Sequence, residues 1–152
     1  MYVYLFYGVE LSRKDAEKHI EGLEDLQKSL HVTFKFGIKE EEVEAIKNLL
    51  GTKVLLKIVA KGEYKKEVDG EEKLANIGWL VDKESFGPLK SLYENAAEPH
   101  VTLWISKEKD SKGKKIGKAM ETKFCEFVVC EPFEVEATFG LFDGNNDFYD
   151  AI

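Results

Sequence analysis

The chain has 152 residues, of which 43% are hydrophobic and 12% aromatic, and this composition excludes a disordered chain. Its 29 acidic residues outnumber its 22 basic residues, giving a formal net charge of −7, whereas proteins that grip long nucleic acids usually carry a basic surface. Length and composition together indicate one soluble globular domain that binds a small ligand or a strand terminus.

Neither a membrane span nor a targeting signal is expected. Residues 1–8 are apolar but lack a basic region and a small-residue cleavage site, so they predict a strand, and no apolar run approaches about 18 residues. Cys125 and Cys130 fall on one predicted strand at positions that face opposite sides, which argues against a disulfide between them. This favours a reducing compartment and a cytoplasmic location.

The first half of the chain predicts three strands and two helices. Ser12 stands three residues before Asp15 as in a capping box, and apolar residues then recur at helical spacing. A second apolar stripe ends at Gly51, a residue type suited to the position after a helix. The predicted elements are the strand Tyr2–Leu11, the helix Ser12–Ser29, a strand from His31, the helix Lys39–Leu50 and the strand Thr52–Tyr64.

The second half repeats this order with weaker helices. The charged run 65–73 contains Gly70 and predicts either a hairpin tip or a hinge, so we expect a lobe boundary near 65–75 within a single domain, 1–152. Pro132 is expected to separate the last two strands. The predicted elements are the strand Asn76–Val81, a short irregular or helical piece Pro88–Asn95, a strand from His100, helical turns at Ile116–Met120 and the strands Lys123–Cys130 and Phe133–Phe142.

The tripeptide His-Val-Thr occurs once in each half, as the first motif (residues 31–33) and the second motif (residues 100–102). Side chains i and i+2 of a strand share a face, so His31 lies beside Thr33, and His100 beside Thr102. Each strand therefore presents an imidazole and a hydroxyl together. Two such strands side by side would suit proton transfer to and from a phosphate that is attacked and expelled in line.

The paired motifs and their apolar flanks, Leu30–Phe36 and Pro99–Ile105, resemble the two-histidine (2H) phosphoesterase superfamily. With the strand 76–80, they are most similar to its branch of 2′,3′-cyclic nucleotide phosphodiesterases and tRNA ligase phosphodiesterase domains. The resemblance implies an α+β fold that is bilobal, with pseudo-two-fold duplicated antiparallel sheets lining a central cleft and helices outside. The motifs would then face each other across that cleft.

The same resemblance implies hydrolysis of a 2′,3′-cyclic phosphate, on a nucleotide or an RNA end, to a 2′-phosphate. One of His31 and His100 would activate water and the other would protonate the leaving ribose oxygen, and the near-symmetry of the motifs leaves the assignment open. Thr33 and Thr102 would donate hydrogen bonds to the phosphate oxygens. The implied enzyme needs no metal and no cofactor, its partner is its nucleotide or RNA-end substrate and not a membrane, and it is expected to be a monomer.

Other interpretations stay open. The chain could instead cleave 2′-5′ or 3′-5′ linked oligoadenylates or cyclic oligonucleotides, or bind nucleotides and RNA ends without catalysis. A lone strand histidine is often structural, although two matched copies make that interpretation weaker. A zinc site would need more ligands at suitable spacing than the chain offers.

Two further features are candidates for substrate contacts. Lys35 and Trp104 continue the strand parity of their motifs, so each is expected at the cleft rim, where Lys35 would contact phosphate. Trp104 would either stack on a base or pack against a neighbouring strand. The lysine-rich stretch 107–115 follows the second motif and predicts either a solvated loop or a lid that guides an RNA backbone.

Overall fold

The computed structural model describes residues 1–152 and contains seven strands, two short α-helices and three 3₁₀ segments. The strands are β1 (Tyr2–Leu11), β2 (His31–Lys39), β3 (Lys53–Val68), β4 (Glu71–Val81), β5 (His100–Ile105), β6 (Glu126–Phe142) and β7 (Phe148–Tyr149). The helices are α1 (Arg13–Glu17) and α2 (Glu40–Ile46), and the 3₁₀ segments are Lys47–Leu49, Lys83–Leu92 and Ala119–Phe124.

All the strands belong to one antiparallel sheet in the order β2-β1-β6-β3-β4-β5, with β7 added beside β6. The sheet curls until its two edge strands approach each other. Backbone hydrogen bonds join each edge to the segment before the other edge strand, from Gln27 N to Leu103 O (2.9 Å) and from Glu94 N to Phe34 O (3.0 Å). The result is a nearly closed, barrel-like sheet, so the expectation of an α+β fold with antiparallel strands is confirmed.

The hydrophobic core fills the inside of this curled sheet. In β3, for example, Leu56 and Ile58 are buried while Leu55 and Lys57 between them are exposed, the alternation expected of a sheet with one face in the core. The core residues come from every long strand and from the segment 83–92. The largest core side chains are Trp79, Phe34, Phe86 and Phe139.

The predicted helix Ser12–Ser29 is wrong beyond its first turns. Ser12 Oγ accepts a hydrogen bond from Asp15 N (3.2 Å), but the Asp15 carboxylate accepts from Glu136 N (2.8 Å), so the second half of the capping box is replaced by a bond to β6. The helix ends at Glu17, and Gly22 and Asp25 have positive φ angles of 66° and 60°. The apolar residues of the irregular segment, Ile20, Leu23 and Leu26, still pack against the core.

The charged run 65–73 forms a hairpin tip. β3 continues to Val68, and the turn at Asp69 and Gly70, with positive φ angles of 51° and 82°, leads directly into β4. The strands on both sides of this turn pair with each other along their length. The two halves of the chain are also joined through the β3–β6 ladder, so one sheet replaces the two that the sequence predicts.

The strands expected on either side of Pro132 form the single strand β6. Ile58 of β3 lies opposite Phe133 and Ala60 lies opposite Val129, so residues 130–132 bulge against one residue of the neighbouring strand. A bulge accommodates proline because its position needs no donor to the ladder.

The short predicted elements are found close to their expected places. α2 and the 3₁₀ turn after it cover the predicted helix Lys39–Leu50, and 3₁₀ segments lie near Pro88–Asn95 and Ile116–Met120. Both cysteines are free thiols. None of the helices has the length and apolar character needed to cross a bilayer.

Candidate active site

Both motifs begin an edge strand and orient their side chains alike. Val32 and Val101 are buried in the core, while the histidine and threonine of each motif are half-buried on the outer face of the curled sheet. Because β2 and β5 are the two edges that approach each other, the fold places the motifs at one seam of the sheet.

Each motif is followed by a one-residue β-bulge at the equivalent position. In β2, Thr33 lies opposite Gly8 and Lys35 lies opposite Tyr7, the next residue of β1, so Phe34 is the extra residue. In β5, Thr102 lies opposite Gly78 and Trp104 lies opposite Ile77, so Leu103 is the extra residue. Bulges are common beside active sites because they redirect the side chains that follow.

These bulges overturn the expectation that Lys35 and Trp104 share a face with their motifs. Residues directly opposite each other in an antiparallel pair point to the same side. Lys35 is paired with the buried Tyr7, and Trp104 with Ile77, which packs against the core. Both predicted contact residues therefore point away from the motif face.

The surroundings of both side chains agree with this correction. Lys35 forms ion pairs with Glu42 and, at 3.5 Å, with Glu94. Trp104 packs against the core and lines a surface hollow with Leu23 and Leu74. Lys35 is thus held by two carboxylates, and Trp104 takes the packing role that was its alternative interpretation.

The residue that follows the first bulge on the motif face is Phe36. It lies opposite Phe6, their ring centroids are 5.7 Å apart, and the Phe36 side chain is 64% exposed. Phe6 in turn lies 5.0 Å from the His31 ring. An exposed aromatic ring therefore stands on the same face as His31, where strand alternation without a bulge would place Lys35.

His31 is held by a polar chain and by aromatic rings. Its Nδ1 lies 3.1 Å from Ser29 Oγ, which donates to Glu10 Oε2 at 3.0 Å. Because the Ser29 proton goes to the carboxyl group, the hydroxyl oxygen can only accept from His31, so the proton of the neutral ring sits on Nδ1. Phe6 and Phe142 pack on the ring, each at a centroid distance of 5.0 Å. Nε2 is left as the basic nitrogen.

His100 reaches the same tautomer by another contact. Its Nδ1 lies 2.8 Å from the carbonyl oxygen of Glu98, which can only accept, so Nδ1 carries a proton and Nε2 is the basic nitrogen of the neutral ring. The partner is again supplied by the residue two positions before the histidine. Both motifs therefore fix Nδ1–H and leave Nε2 for chemistry.

The pKa values of both histidines are lowered. Burial, opposed by a hydrogen bond to the Ser29 backbone and assisted by the charge of His100, lowers the pKa of His31 to about 4. Burial and the charge of Lys123 lower the pKa of His100, against the hydrogen bond to Glu98. Both shifts favour the neutral imidazole.

The two threonine hydroxyls have different surroundings. Thr102 Oγ1 lies 2.7 Å from Thr122 Oγ1, which accepts from Asn76 Nδ2 at 3.0 Å. Thr122 therefore donates to Thr102 most readily, and the Thr102 proton remains available, with only a long contact of 3.5 Å to Ala119 O. The Thr33 hydroxyl has no comparable relay, that is, no hydrogen bond to a second hydroxyl. The backbone carbonyl of Thr33 accepts from Asn95 Nδ2 at 3.1 Å.

Several residues of this site carry no signal in the sequence. Ser29 and Glu98 could be found only by noting that each lies two positions before a motif histidine. Glu10 and Thr122 reach the motifs through strand pairing and a 3₁₀ turn. No group of three or more histidine, cysteine or acidic side chains is placed to hold a metal ion.

No model of a known protein family, no curated protein and no solved structure matches this chain. The chemistry of the site is therefore inferred from the geometry of its own residues.

Proposed function

We propose that the chain is a phosphodiesterase of the two-histidine type that opens 2′,3′-cyclic phosphates of nucleotides or RNA ends. The observation that carries the proposal is the matched pair of histidines, each with Nδ1–H fixed by the residue two positions upstream and with Nε2 left free. Each ring stands beside a threonine hydroxyl on its own strand. Such a pair supplies a base, an acid and two donors for one phosphate.

Paired features of the two halves support a duplicated arrangement around this site. From either edge the sheet runs motif strand, antiparallel neighbour and central strand, which are β2-β1-β6 on one side and β5-β4-β3 on the other. Both motif strands carry the same bulge, and both threonines face a glycine. The bonds from Gln27 to Leu103 and from Glu94 to Phe34 are reciprocal, as an approximate two-fold axis between the motifs requires.

The two glycines explain how the motif strands approach their partners so closely. A Cβ atom on Gly8 would lie 2.0 Å from the carbonyl oxygen of Val32, and one on Gly78 would lie 2.8 Å from that of Val101. Each valine is the central residue of its motif. Glycine therefore permits the backbone geometry that presents each histidine and threonine.

In the proposed reaction, His31 Nε2 accepts a proton from water while the water oxygen forms a bond to phosphorus. The bond between phosphorus and the ribose 3′-oxygen breaks, and His100 Nε2–H gives that oxygen its proton, so the product is a 2′-phosphate. Thr33 and Thr102 donate to the non-bridging oxygens as their negative charge grows. Each proton transfer is typically worth about 10²- to 10⁴-fold in rate.

We assign the base to His31 because its pKa of about 4 keeps the ring neutral at physiological pH. His100 must be protonated to act as the acid, and the negative charge of a bound phosphodiester raises its pKa toward that state. The value of kcat/KM should therefore fall as pH drops toward 4, where His31 of the free protein is protonated. The value of kcat should fall as pH rises through the pKa of His100 in the complex. Phe36 is the proposed surface for the nucleobase.

The decisive experiment is a substrate panel with product identification. The purified chain is incubated in chelator with 2′,3′-cyclic nucleotides, an RNA ending in a 2′,3′-cyclic phosphate, 2′-5′ and 3′-5′ oligoadenylates and cyclic dinucleotides. Conversion of a cyclic phosphate to the 2′-phosphate supports the proposal. Cleavage of only the oligoadenylates or cyclic dinucleotides assigns a different phosphodiesterase, and tight binding of panel members without turnover shows a binding module instead.

A further inference from the structure

A groove lined by lysines separates the β3–β4 hairpin from the loop 106–118 that follows the second motif. It has a volume of about 600 Å³, and we call it the lysine groove. Six lysines line it against three carboxylates, whereas acidic residues outnumber basic ones in the chain as a whole. The lysines are Lys65, Lys66, Lys112, Lys114, Lys115 and Lys118.

Two of the three carboxylates of the groove hold its loop in place. Asp69 accepts from Ser111 N at 3.0 Å and from Ser111 Oγ at 2.7 Å, which joins the loop to the hairpin turn. Asp110 Oδ1 accepts from the backbone nitrogens of Lys112 and Lys114, both at 2.9 Å. Asp69 and Asp110 thereby fix the loop against the hairpin, and the groove still has three more lysines than carboxylates.

Four of the six lysines have no acidic partner. Lys65 and Lys66 form ion pairs with Glu72 (3.9 Å) and Glu121 (2.5 Å), and Lys66 Nζ also donates to Ile116 O at 3.0 Å. The ammonium groups of the other four, Lys112, Lys114, Lys115 and Lys118, make no ion pair with the protein. A cluster of unpaired cations is suited to the repeated phosphates of a nucleic acid strand.

The lysine groove is connected to the second motif through the 3₁₀ turn Ala119–Phe124. Lys118 O accepts from Asn76 Nδ2 at 2.8 Å, and the 3₁₀ turn Ala119–Phe124 begins at the next residue. That turn supplies Thr122, whose hydroxyl contacts Thr102 of the second motif. The groove and the motif are therefore consecutive along one short stretch of chain.

Two aromatic rings lie where the groove meets this turn. Tyr64 lines the lysine groove, and its ring centroid is 5.7 Å from that of Phe124, which is 54% exposed. Both rings also line an adjoining hollow. Stacking rings next to a lysine track are the combination used to bind single strands with little sequence preference.

We infer that the lysine groove and the Tyr64–Phe124 pair bind a single-stranded nucleic acid whose terminal phosphate reaches the motif histidines. The preferred substrate is then an oligonucleotide end, not a free mononucleotide, and this part of the inference rests on the proposed function. The binding of the strand itself does not. The same groove gives a physical reason why an acidic protein can still act on RNA, since its lining has a local excess of basic residues.

The test compares two triple variants of equal net charge. Lys112→Ala, Lys114→Ala and Lys115→Ala remove three groove cations, and the control removes Lys14, Lys57 and Lys83, which lie elsewhere and form no ion pair. Binding of a single-stranded oligonucleotide of about twelve nucleotides is followed by fluorescence anisotropy at several salt concentrations. The groove variant should bind about tenfold more weakly, with the slope of log K against log salt reduced by about 2, and the control should bind like wild type.

Hydrolysis of a 2′,3′-cyclic mononucleotide is measured on the same proteins. Loss of oligonucleotide affinity with unchanged mononucleotide hydrolysis supports the inference. If the wild-type chain hydrolyses no panel substrate but the groove variant alone loses binding, the proposed function fails and the strand-binding groove stands. Equal weakening by both triple variants, or equally tight wild-type binding to a poly-glutamate peptide of the same charge, would overturn the groove assignment.

Discussion

The two motif strands share their geometry but differ in what surrounds each histidine. His31 is packed between Phe6 and Phe142 and bonded through Ser29 to Glu10, whereas His100 is bonded to a backbone carbonyl and lies near Lys123. The threonines differ the other way, since Thr102 has a hydroxyl relay and Thr33 has none. The neighbours of two identical tripeptides can thus give their histidines separate roles, which the sequence motif alone does not reveal.

Removal of either imidazole tests whether both halves take part in one reaction. His31→Ala and His100→Ala should each lower the rate of cyclic phosphate hydrolysis by about 10²- to 10⁴-fold, because each removes one proton transfer. The readout is kcat at saturating substrate. His19→Gln is the matched control, since the third histidine stacks on Phe133 at 4.2 Å, away from the motifs, and should retain activity. Full activity in either motif variant would exclude the paired mechanism.

Because the His31 ring is buried between aromatic side chains, we expect the free energy of unfolding to fall in acid. Its pKa is about 4 in the folded protein and about 6.5 in the unfolded chain, so the unfolded state binds the proton first as pH falls. Above about pH 6.5 this histidine does not make the free energy of unfolding depend on pH. Between pH 6.5 and pH 4 it lowers the free energy of unfolding by about 3 kcal/mol. Denaturant unfolding across this range should show a smaller loss in His31→Gln, while His19→Gln keeps the wild-type loss. Parallel curves for wild type and His31→Gln would contradict the burial argument.

The bulges predict a contrast between Phe36 and Trp104. Phe36→Ala should raise KM for a cyclic nucleotide by about tenfold, because stacking on a base is worth roughly 1–3 kcal/mol. Trp104→Leu should leave KM unchanged, since Trp104 faces away from the motif and packs near the core. Phe36→Tyr keeps an aromatic ring at this position, so its KM should equal that of the wild-type chain. If only Trp104→Leu raised KM, Trp104 and not Phe36 would contact the nucleobase, and the bulge-based assignment would be refuted.

Much of this fold and site could be read from the sequence. The motif strands, the α2 segment and the inward valines follow from alternation and spacing, which depend on local geometry. The failures share a different cause. The helix predicted from Ser12 ends early because the Asp15 carboxylate accepts a hydrogen bond from Glu136 N of a distant strand. Lys35 points to the other face of the sheet because Phe34 is an extra residue in the ladder. Hydrogen-bond partners and bulges of this kind depend on which distant strands pair, so they cannot be predicted from local sequence patterns.

The smallest expected effect separates the two threonines by stability. Thr102→Val leaves the fully buried Thr122 hydroxyl without its 2.7 Å partner, which should cost about 1 kcal/mol, whereas Thr33→Val should be close to neutral. Chemical denaturation of both variants gives the two values. A double-mutant cycle with Thr122→Val then measures the coupling directly, and we expect about 1 kcal/mol for the pair with Thr102 and none for the pair with Thr33. Equal couplings would show that the relay does not distinguish the motifs, and both hydroxyls would then have to be positioned by substrate alone.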